Sequence, residues 1–211
     1  MIELIQRYEN VSCEHISYYF CSTILHMGLS EQIRRKIQEY FINRLQPEET
    51  LVSRFENLKL AKSLSMFFCI NTKKELDQIR RLTSRAGKDY NELGVYIFSD
   101  SYESLDVITN KSIYFFNLND FTLFGKKKER LEELIDNKEY DLLISFDQSQ
   151  LAVCQKFISD IKAGFKVGLN SSEAENIFNL SFEYDDKVFS YNKFYEQVRH
   201  YISVLNIKTI S

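Results

Sequence analysis

The chain has 211 residues, enough for one domain with a sizeable core, and its 44% hydrophobic and 27% charged residues are typical of a globular protein. A single Pro and six Gly argue against disorder, and a net charge of -3 provides no basic field for nucleic acid, which we do not expect as a partner. The sequence shows no transmembrane-length apolar run and no signal peptide, so we predict a cytoplasmic protein with reduced cysteines.

The first 26 residues differ from the rest of the chain because they contain the one cluster of Cys and His. Its members are Cys13, His15, Cys21 and His26. Structural zinc sites usually combine closely spaced pairs of Cys and of His, and this spacing does not match them. We therefore predict no metal site and no cofactor, and we interpret Cys69 and Cys154 as small buried apolar residues.

An amphipathic helix is predicted over residues 30–45, shortly after Met27. In SEQIRRKIQEYFINRL, apolar residues recur at helical spacing on one face, and Pro47 follows the end of the pattern. Basic residues lie beside this apolar face, at Arg34, Arg35 and Lys36, so the helix suits packing on its own domain, docking on a protein or binding to an anionic membrane surface.

From Leu64 onward, short apolar runs alternate with stretches of helical periodicity. The predicted strands are SLSMFFCI, GVYIFSD, SIYFFNL, YDLLISF, FKVGL and the shorter NLSFEY. In the first intervening segment, Thr72 and Glu75 form a capping box that predicts a helix from Lys73 to about Gly87. The later predicted helices are FGKKKERLEELIDNKE, SQLAVCQKFISDI with Leu151 on its buried face, and residues 191–205.

This alternation predicts a mostly parallel sheet covered by helices on both faces. The expected fold class is α/β, a three-layer Rossmann-like sandwich with a sheet of five or six strands and the N-terminal amphipathic helix. We assign residues 61–207 to this domain and residues 27–60 to a helical arm. Residues 1–26 are expected to be a poorly ordered or non-native extension.

Ligands of such folds bind beyond the carboxyl ends of the strands, so the turns there hold the candidate ligand-binding residues. They are Ser99, Lys126, Lys127, Asp147 and Ser149. No turn contains the glycines of a dinucleotide fingerprint or a P-loop, which argues against a usual NAD enzyme and a P-loop enzyme.

Each candidate also has a structural interpretation, which the residue types favour. Ser99 fits a turn that bonds nearby backbone amides. Lys126, Lys127 and Lys128 are predicted in the first turn of a helix, where the dipole disfavours cations, and this placement suggests either a phosphate or anion site or a solvated cluster. Asp147 or Ser149 fits the N-cap of the following helix.

Two functions from different classes remain open. We favour a non-enzymatic Rossmann-like protein, without catalytic residues, that acts through a protein partner bound to helix 30–45. The alternative is a protein that binds a small molecule or an anion, such as a phosphate or a nucleotide-sugar-like compound, at the strand-end turns.

The chain resembles a bacterial family known only as a domain of unknown function, numbered 6913. The likeness is carried by AKS before the first strand, then FGK, YDLLI, FKVG and HYI, over about residues 28–207. Members of that family tend to begin with a short basic helix, which implies that Met27 is the native start. The segments YDLLISF and KAGFKVG are also similar to the acceptor-side half of heptosyltransferase-like glycosyltransferases, and this implies a shared ancestry without the donor-binding half.

Overall fold

The computed structural model describes residues 33, 36–38, 40–41, 58–99, 113–149, 151–170, 177–184 and 189–205. Six strands form one sheet in which every neighbouring pair is parallel, in the order β3-β2-β1-β4-β5-β6. The strands are β1 Ser63–Cys69, β2 Glu92–Phe98, β3 Ile113–Phe116, β4 Glu139–Ser145, β5 Lys162–Leu169 and β6 Leu180–Phe182. The predicted α/β fold with a parallel sheet is confirmed.

Helices cover both faces of the sheet, as the continuous apolar runs of the strands require. They are α1 Lys73–Ala86, α2 Glu129–Asp136, α3 Ala152–Asp160 and α4 Tyr191–Val204. Helices α1 and α4 pack on one face through residues such as Ile79 and Phe194. Helices α2 and α3 pack on the other face through Leu131 and Phe157. None of the described helices is long and apolar enough to span a membrane.

The start of α1 follows the sequence prediction closely. Thr72 Oγ1 accepts a hydrogen bond from the Glu75 backbone N–H, and Glu75 Oε2 accepts one from the Thr72 N–H at 2.9 Å. This capping box satisfies two backbone donors at the helix terminus. Gly87 follows the last helical residue, as predicted.

The predicted cap of α3 is wrong. The N-cap of this helix is Leu151, whose side chain makes no capping hydrogen bond. Asp147 and Ser149 lie before it, and their side chains bond to each other and to nearby backbone instead of to the first turn of the helix. Leu151 was predicted to be buried, but it is 41% exposed because it precedes the helix rather than lying on its inner face.

The predicted position of the three lysines in a first helical turn is also wrong. Helix α2 begins at Glu129, one residue after Lys128. Lys126 and Lys127 belong to a turn that closes by an antiparallel bridge between Phe121 and Lys127. Gly125 has φ 74°, a left-handed conformation that a glycine adopts without strain, and this lets the turn form before the helix starts.

The described part of the N-terminal helix packs on its own domain. Residues 33, 36–38 and 40–41 are helical. Gln38 is 2% exposed, and its Nε2 donates to the carbonyls of Leu118, Phe121 and Thr122 at 3.4, 3.3 and 3.1 Å. The ring of Phe41 lies edge-on to Phe124, with centroids 5.0 Å apart. Arg34, Arg35 and residues 1–26 lie outside the described residues, so the predicted extension stays a prediction.

We expect Gln38→Ala to lower the free energy of unfolding by about 1–3 kcal/mol, because three carbonyls of the loop after β3 would lose a buried donor. Urea denaturation followed by circular dichroism measures this change. Lys36→Ala is the control, since Lys36 is exposed on the same helix and should change stability by less than about 0.5 kcal/mol. Equal small effects of both variants would mean that the helix does not stabilise the domain.

Candidate functional site

The strand order reverses between β1 and β4. The chain runs outward from β1 to β2 and β3 on one side, and from β4 to β5 and β6 on the other. In open parallel sheets this reversal leaves room for a ligand at the carboxyl ends of the two central strands. Four side chains gather there, and we call Cys69, Asp147, Ser149 and Cys154 the switch-point cluster.

Asp147 is the charged member of this cluster, and it is only 9% exposed. Its Oδ1 accepts hydrogen bonds from the Ser149 N–H at 2.8 Å and the Ser149 hydroxyl at 2.6 Å. Among the described residues, none donates to Oδ2 and none forms an ion pair with the carboxylate. Burial raises the pKa of Asp147, and the two bonds from Ser149 act in the opposite direction.

Two thiols lie against this carboxylate. The Cys69 and Cys154 sulfur atoms and a carboxylate oxygen of Asp147 are all within 4.8 Å of one another. Cys69 is the last residue of β1, and Cys154 lies in the first turn of α3. Burial raises the pKa of the Cys154 thiol well above its ordinary value, and the neighbouring Cys69 raises it further. The Cys154 thiol is therefore protonated at neutral pH.

Tyr191, the first residue of α4, lies beside the cluster. Its ring packs against Phe68 and Phe146, with centroids 5.5 and 6.0 Å away. Burial raises the pKa of the Tyr191 hydroxyl, and the nearby Glu75, Cys69 and Asp147 raise it further. The hydroxyl therefore stays protonated and is a hydrogen-bond donor at neutral pH.

Ser99 follows β2 at the same edge of the sheet. It is 0% exposed, its backbone N–H donates to the Phe116 carbonyl at 3.1 Å, and its hydroxyl has no hydrogen-bond partner among the described residues. The alternation from Val95 and Ile97 points its side chain to the face covered by α1 and α4. Cys69 and Cys154 belong to the opposite face of the sheet. Ser99 therefore lies at the same edge of the sheet as the cluster, but on its other face.

Lys126 and Lys127 lie apart from this cluster. The Lys127 ammonium pairs with Asp160 at 3.1 Å, and Asp160 also pairs with Lys156 at 2.7 Å. Asp160 ends α3, a helix of nine residues, so the pair lies about 13 Å from the end of the helix that faces Asp147. Lys126 is exposed. Of the five candidates, Asp147 and Ser149 are brought together, Ser99 lies at their edge, and the two lysines lie elsewhere.

The sequence prediction did not include Cys69, Cys154 or Tyr191 in the site. Cys69 and Cys154 were interpreted as small buried residues, and Tyr191 was identified only as the start of the last helix. In the structure Cys69 is half-buried, and Cys154 and Tyr191 are buried. The missing information was the strand order, because only the pairing of β1 with β4 places Cys69 beside Asp147.

Comparison with known proteins identifies the family. Residues 34–205 match the model of a family of unknown function, DUF6913. The chain belongs to this family. The match confirms the first resemblance noted in the sequence, and it covers the described domain together with most of the predicted arm over residues 27–60. No curated protein matches the chain.

The fold is also similar to that of a glycosyl transferase of family 9 from Veillonella parvula. The two chains are 12% identical, with a TM-score of 0.47, over 70% of this chain and 42% of that one. The chain thus corresponds to less than half of that protein. This similarity agrees with the second resemblance noted in the sequence.

Asp147→Asn is expected to raise the melting temperature of the protein at pH 7 when a chelator keeps metal ions away from the carboxylate. The pKa of Asp147 is higher in the folded protein than in the unfolded chain, so the protonated carboxyl group favours folding. This contribution to stability is fully present when the pH lies below the ordinary pKa of an Asp. It is lost as the pH rises through the raised pKa of the folded protein. Asparagine keeps an oxygen that can accept from Ser149 but carries no charge. The difference in melting temperature between Asp147→Asn and wild type should therefore shrink as the pH falls below the raised pKa of Asp147.

Thermal denaturation in chelator, from about pH 8 to about pH 4, measures this difference. Asp141→Asn is the matched control, because Asp141 lies on β4, the strand that leads to Asp147. Asp141 Oδ2 accepts from the Lys62 and Ser63 N–H groups at 2.7 and 3.0 Å at the opposite edge of the sheet, so its loss should lower stability. An Asp147→Asn variant less stable than wild type at pH 7 would mean that the protein compensates the Asp147 charge.

Proposed function

We propose that this protein binds a small hydroxyl-bearing molecule in the cytoplasm, with Asp147 as the central hydrogen-bond acceptor. The main support for this proposal is that the Asp147 carboxylate is buried at the reversal of strand order. Its Oδ2 atom receives no hydrogen bond from any described residue. Ribose and sugar hydroxyl groups are donors of the size and chemistry that such an oxygen accepts. The Tyr191 hydroxyl and Ser149 provide further polar atoms nearby.

Asp147 and Lys166 are the two charged side chains that are buried among the described residues, and they differ in whether their surroundings compensate the charge. The Lys166 ammonium donates to the carbonyls of Ile158 and Ser159 at 3.1 and 2.7 Å, at the carboxyl end of α3 where the helix dipole favours a cation. Its burial therefore has a structural explanation. Asp147 neither caps α3 nor pairs with a described cation, and perturbed groups of this kind concentrate at functional sites.

The hydroxyl-bearing ligand is better supported than a phosphate or another anion. An anion site would need the charges of Lys126 and Lys127, but Lys127 is paired with Asp160, and Lys126 is an exposed residue of the turn before α2. An anion placed beside the Asp147 carboxylate would also meet a like charge. A nucleotide sugar would then bind mainly through its hydroxyl groups.

The hypothesis of a protein partner on helix 30–45 has less support. That hypothesis needs an unoccupied apolar face, whereas the described residues Gln38 and Phe41 contact the loop after β3. The exposed residues of the helix that the structure describes, Lys36 and Tyr40, are a charged and an amphipathic side chain on the outer face.

A thermal-shift screen in chelator tests the proposed function. The panel contains nucleosides, nucleotides, nucleotide sugars, free sugars and simple polyanions. A ligand present at about 100 times its dissociation constant stabilises by about 2.7 kcal/mol, which raises the melting temperature of a chain this long by about 5 °C or more. We expect such a shift from a hydroxyl-bearing compound, and its loss in Asp147→Asn. A panel without any shift, or a shift from polyanions alone, would contradict the proposal.

A further inference from the structure

We propose that Cys69, Asp147 and Cys154 form a binding site for one soft divalent cation of the zinc class. This inference goes beyond the proposed function, since it requires no organic ligand. The three residues come from the end of β1, the turn after β4 and the first turn of α3, which meet at the reversal of strand order.

The distances between the three side chains suit a tetrahedral ion. Their ligand atoms lie within 4.8 Å of one another. Zinc binds sulfur at about 2.3 Å, so two sulfur ligands of a tetrahedral site are about 3.7 Å apart. A sulfur and a carboxylate oxygen on the same ion are about 3.6 Å apart, so a contraction of at most about 1.2 Å between any two ligand atoms closes the site.

The donor set selects the kind of cation. Two sulfur atoms and one carboxylate oxygen suit zinc and similar soft or borderline ions, whereas magnesium and calcium prefer oxygen ligands alone. Three protein ligands leave a fourth tetrahedral position for water or for a hydroxyl group of a bound molecule. When the ion takes Oδ2, a hydroxyl group of the proposed ligand would bind at this fourth position of the ion instead of at Oδ2.

Ser149 positions the carboxylate for this role. Its N–H and hydroxyl groups both donate to Asp147 Oδ1, which fixes the carboxylate and leaves Oδ2 for the metal. On binding, the two thiols release their protons to the buffer and two metal–sulfur bonds form as the ion loses water. The divalent charge replaces the two protons, so the cluster keeps the single negative charge of Asp147.

Cobalt titration of the full-length protein tests the site. The protein is stripped of metal with a chelator, kept reduced, and freed of the chelator before Co2+ is added. Cysteine ligation gives a sulfur-to-cobalt charge-transfer band in the near ultraviolet, and tetrahedral geometry gives intense visible bands. We expect both bands to saturate at one ion per chain and to disappear on addition of Zn2+.

Two groups of variants decide which cysteines bind. Cys13→Ser combined with Cys21→Ser removes the other two cysteines of the chain and should leave the bands unchanged. Cys69→Ser in that background should weaken binding by about 100-fold or more, and Asp147→Asn should also weaken it, because even outer-shell changes cost about 10–100-fold. Cys69 is only half-buried, so its serine variant should fold even if Cys154→Ser does not.

Three results would overturn the inference. They are no charge-transfer band in the Cys13→Ser, Cys21→Ser background, an unchanged band in folded Cys69→Ser, or visible bands of octahedral cobalt alone. Circular dichroism establishes that each variant is folded. The thermal-shift panel is measured in chelator, so failure of metal binding and failure of organic-ligand binding are separate results.

Discussion

Replacing Phe157 with alanine is expected to lower the free energy of unfolding by about 3–5 kcal/mol. Phe157 is 0% exposed and lies in the layer between the sheet and helices α2 and α3. Its ring stacks on Phe116, with centroids 4.1 Å apart, and contacts Tyr96 and Phe67 at 5.4 and 5.7 Å. Because three aromatic rings surround it, the structure cannot collapse easily into the space that alanine would leave.

Urea denaturation followed by circular dichroism measures this loss. Leu151→Ala is the control, since Leu151 is a large apolar residue at the start of the same helix but is 41% exposed. Leu151→Ala should lower the free energy of unfolding by less than about 1 kcal/mol, because the exposed leucine buries little apolar surface that alanine would lose. Similar losses for the two variants would contradict the placement of Phe157 in the core.

Ile144→Ala should have the second largest effect, a loss of about 2–5 kcal/mol in the free energy of unfolding. Ile144 is 0% exposed on β4, where it pairs with Met66 of β1 and Val167 of β5. Its side chain belongs to the core on the opposite face of the sheet, under α1 and α4. The same denaturation experiment therefore tests the second layer of the sandwich.

Ile144→Val is the matched control, because it removes one methylene group and keeps the branched shape that suits a strand. It should cost about 0.5–1.5 kcal/mol. An alanine variant no less stable than the valine variant would mean that the side chain does not face a packed layer.

Much of the fold could be predicted because buried parallel strands have continuous runs of apolar residues in the sequence. YDLLISF predicts a strand that the structure places at Glu139–Ser145, and Thr72 with Glu75 marks the start of α1 to the residue. The errors occurred at helix starts without a capping side chain. Leu151 and Lys128 hold the N-cap positions of α3 and α2, and neither residue type marks such a position.

The candidate site could be predicted only in part. Asp147 and Ser149 were identified because polar residues after an apolar strand lie at the carboxyl edge of a parallel sheet. The thiols were not, because Cys69 and Cys154 are far apart in the sequence and each has the pattern of a core residue. The order of parallel strands depends on whether each connection leads to the left or to the right of the preceding strand in the sheet. No residue near Cys69 indicates that β4 lies next to β1.

The most direct test of the central claim, that Asp147 is the centre of a binding site, is calorimetric titration of the best ligand from the thermal-shift panel. The account predicts that Asp147→Asn weakens binding by about 10–100-fold, because a hydrogen bond to a charged group is worth about 1.5–3 kcal/mol. Asp141→Asn, at the opposite edge of the sheet, should bind as wild type does. Equal affinities of wild type and Asp147→Asn would contradict the account.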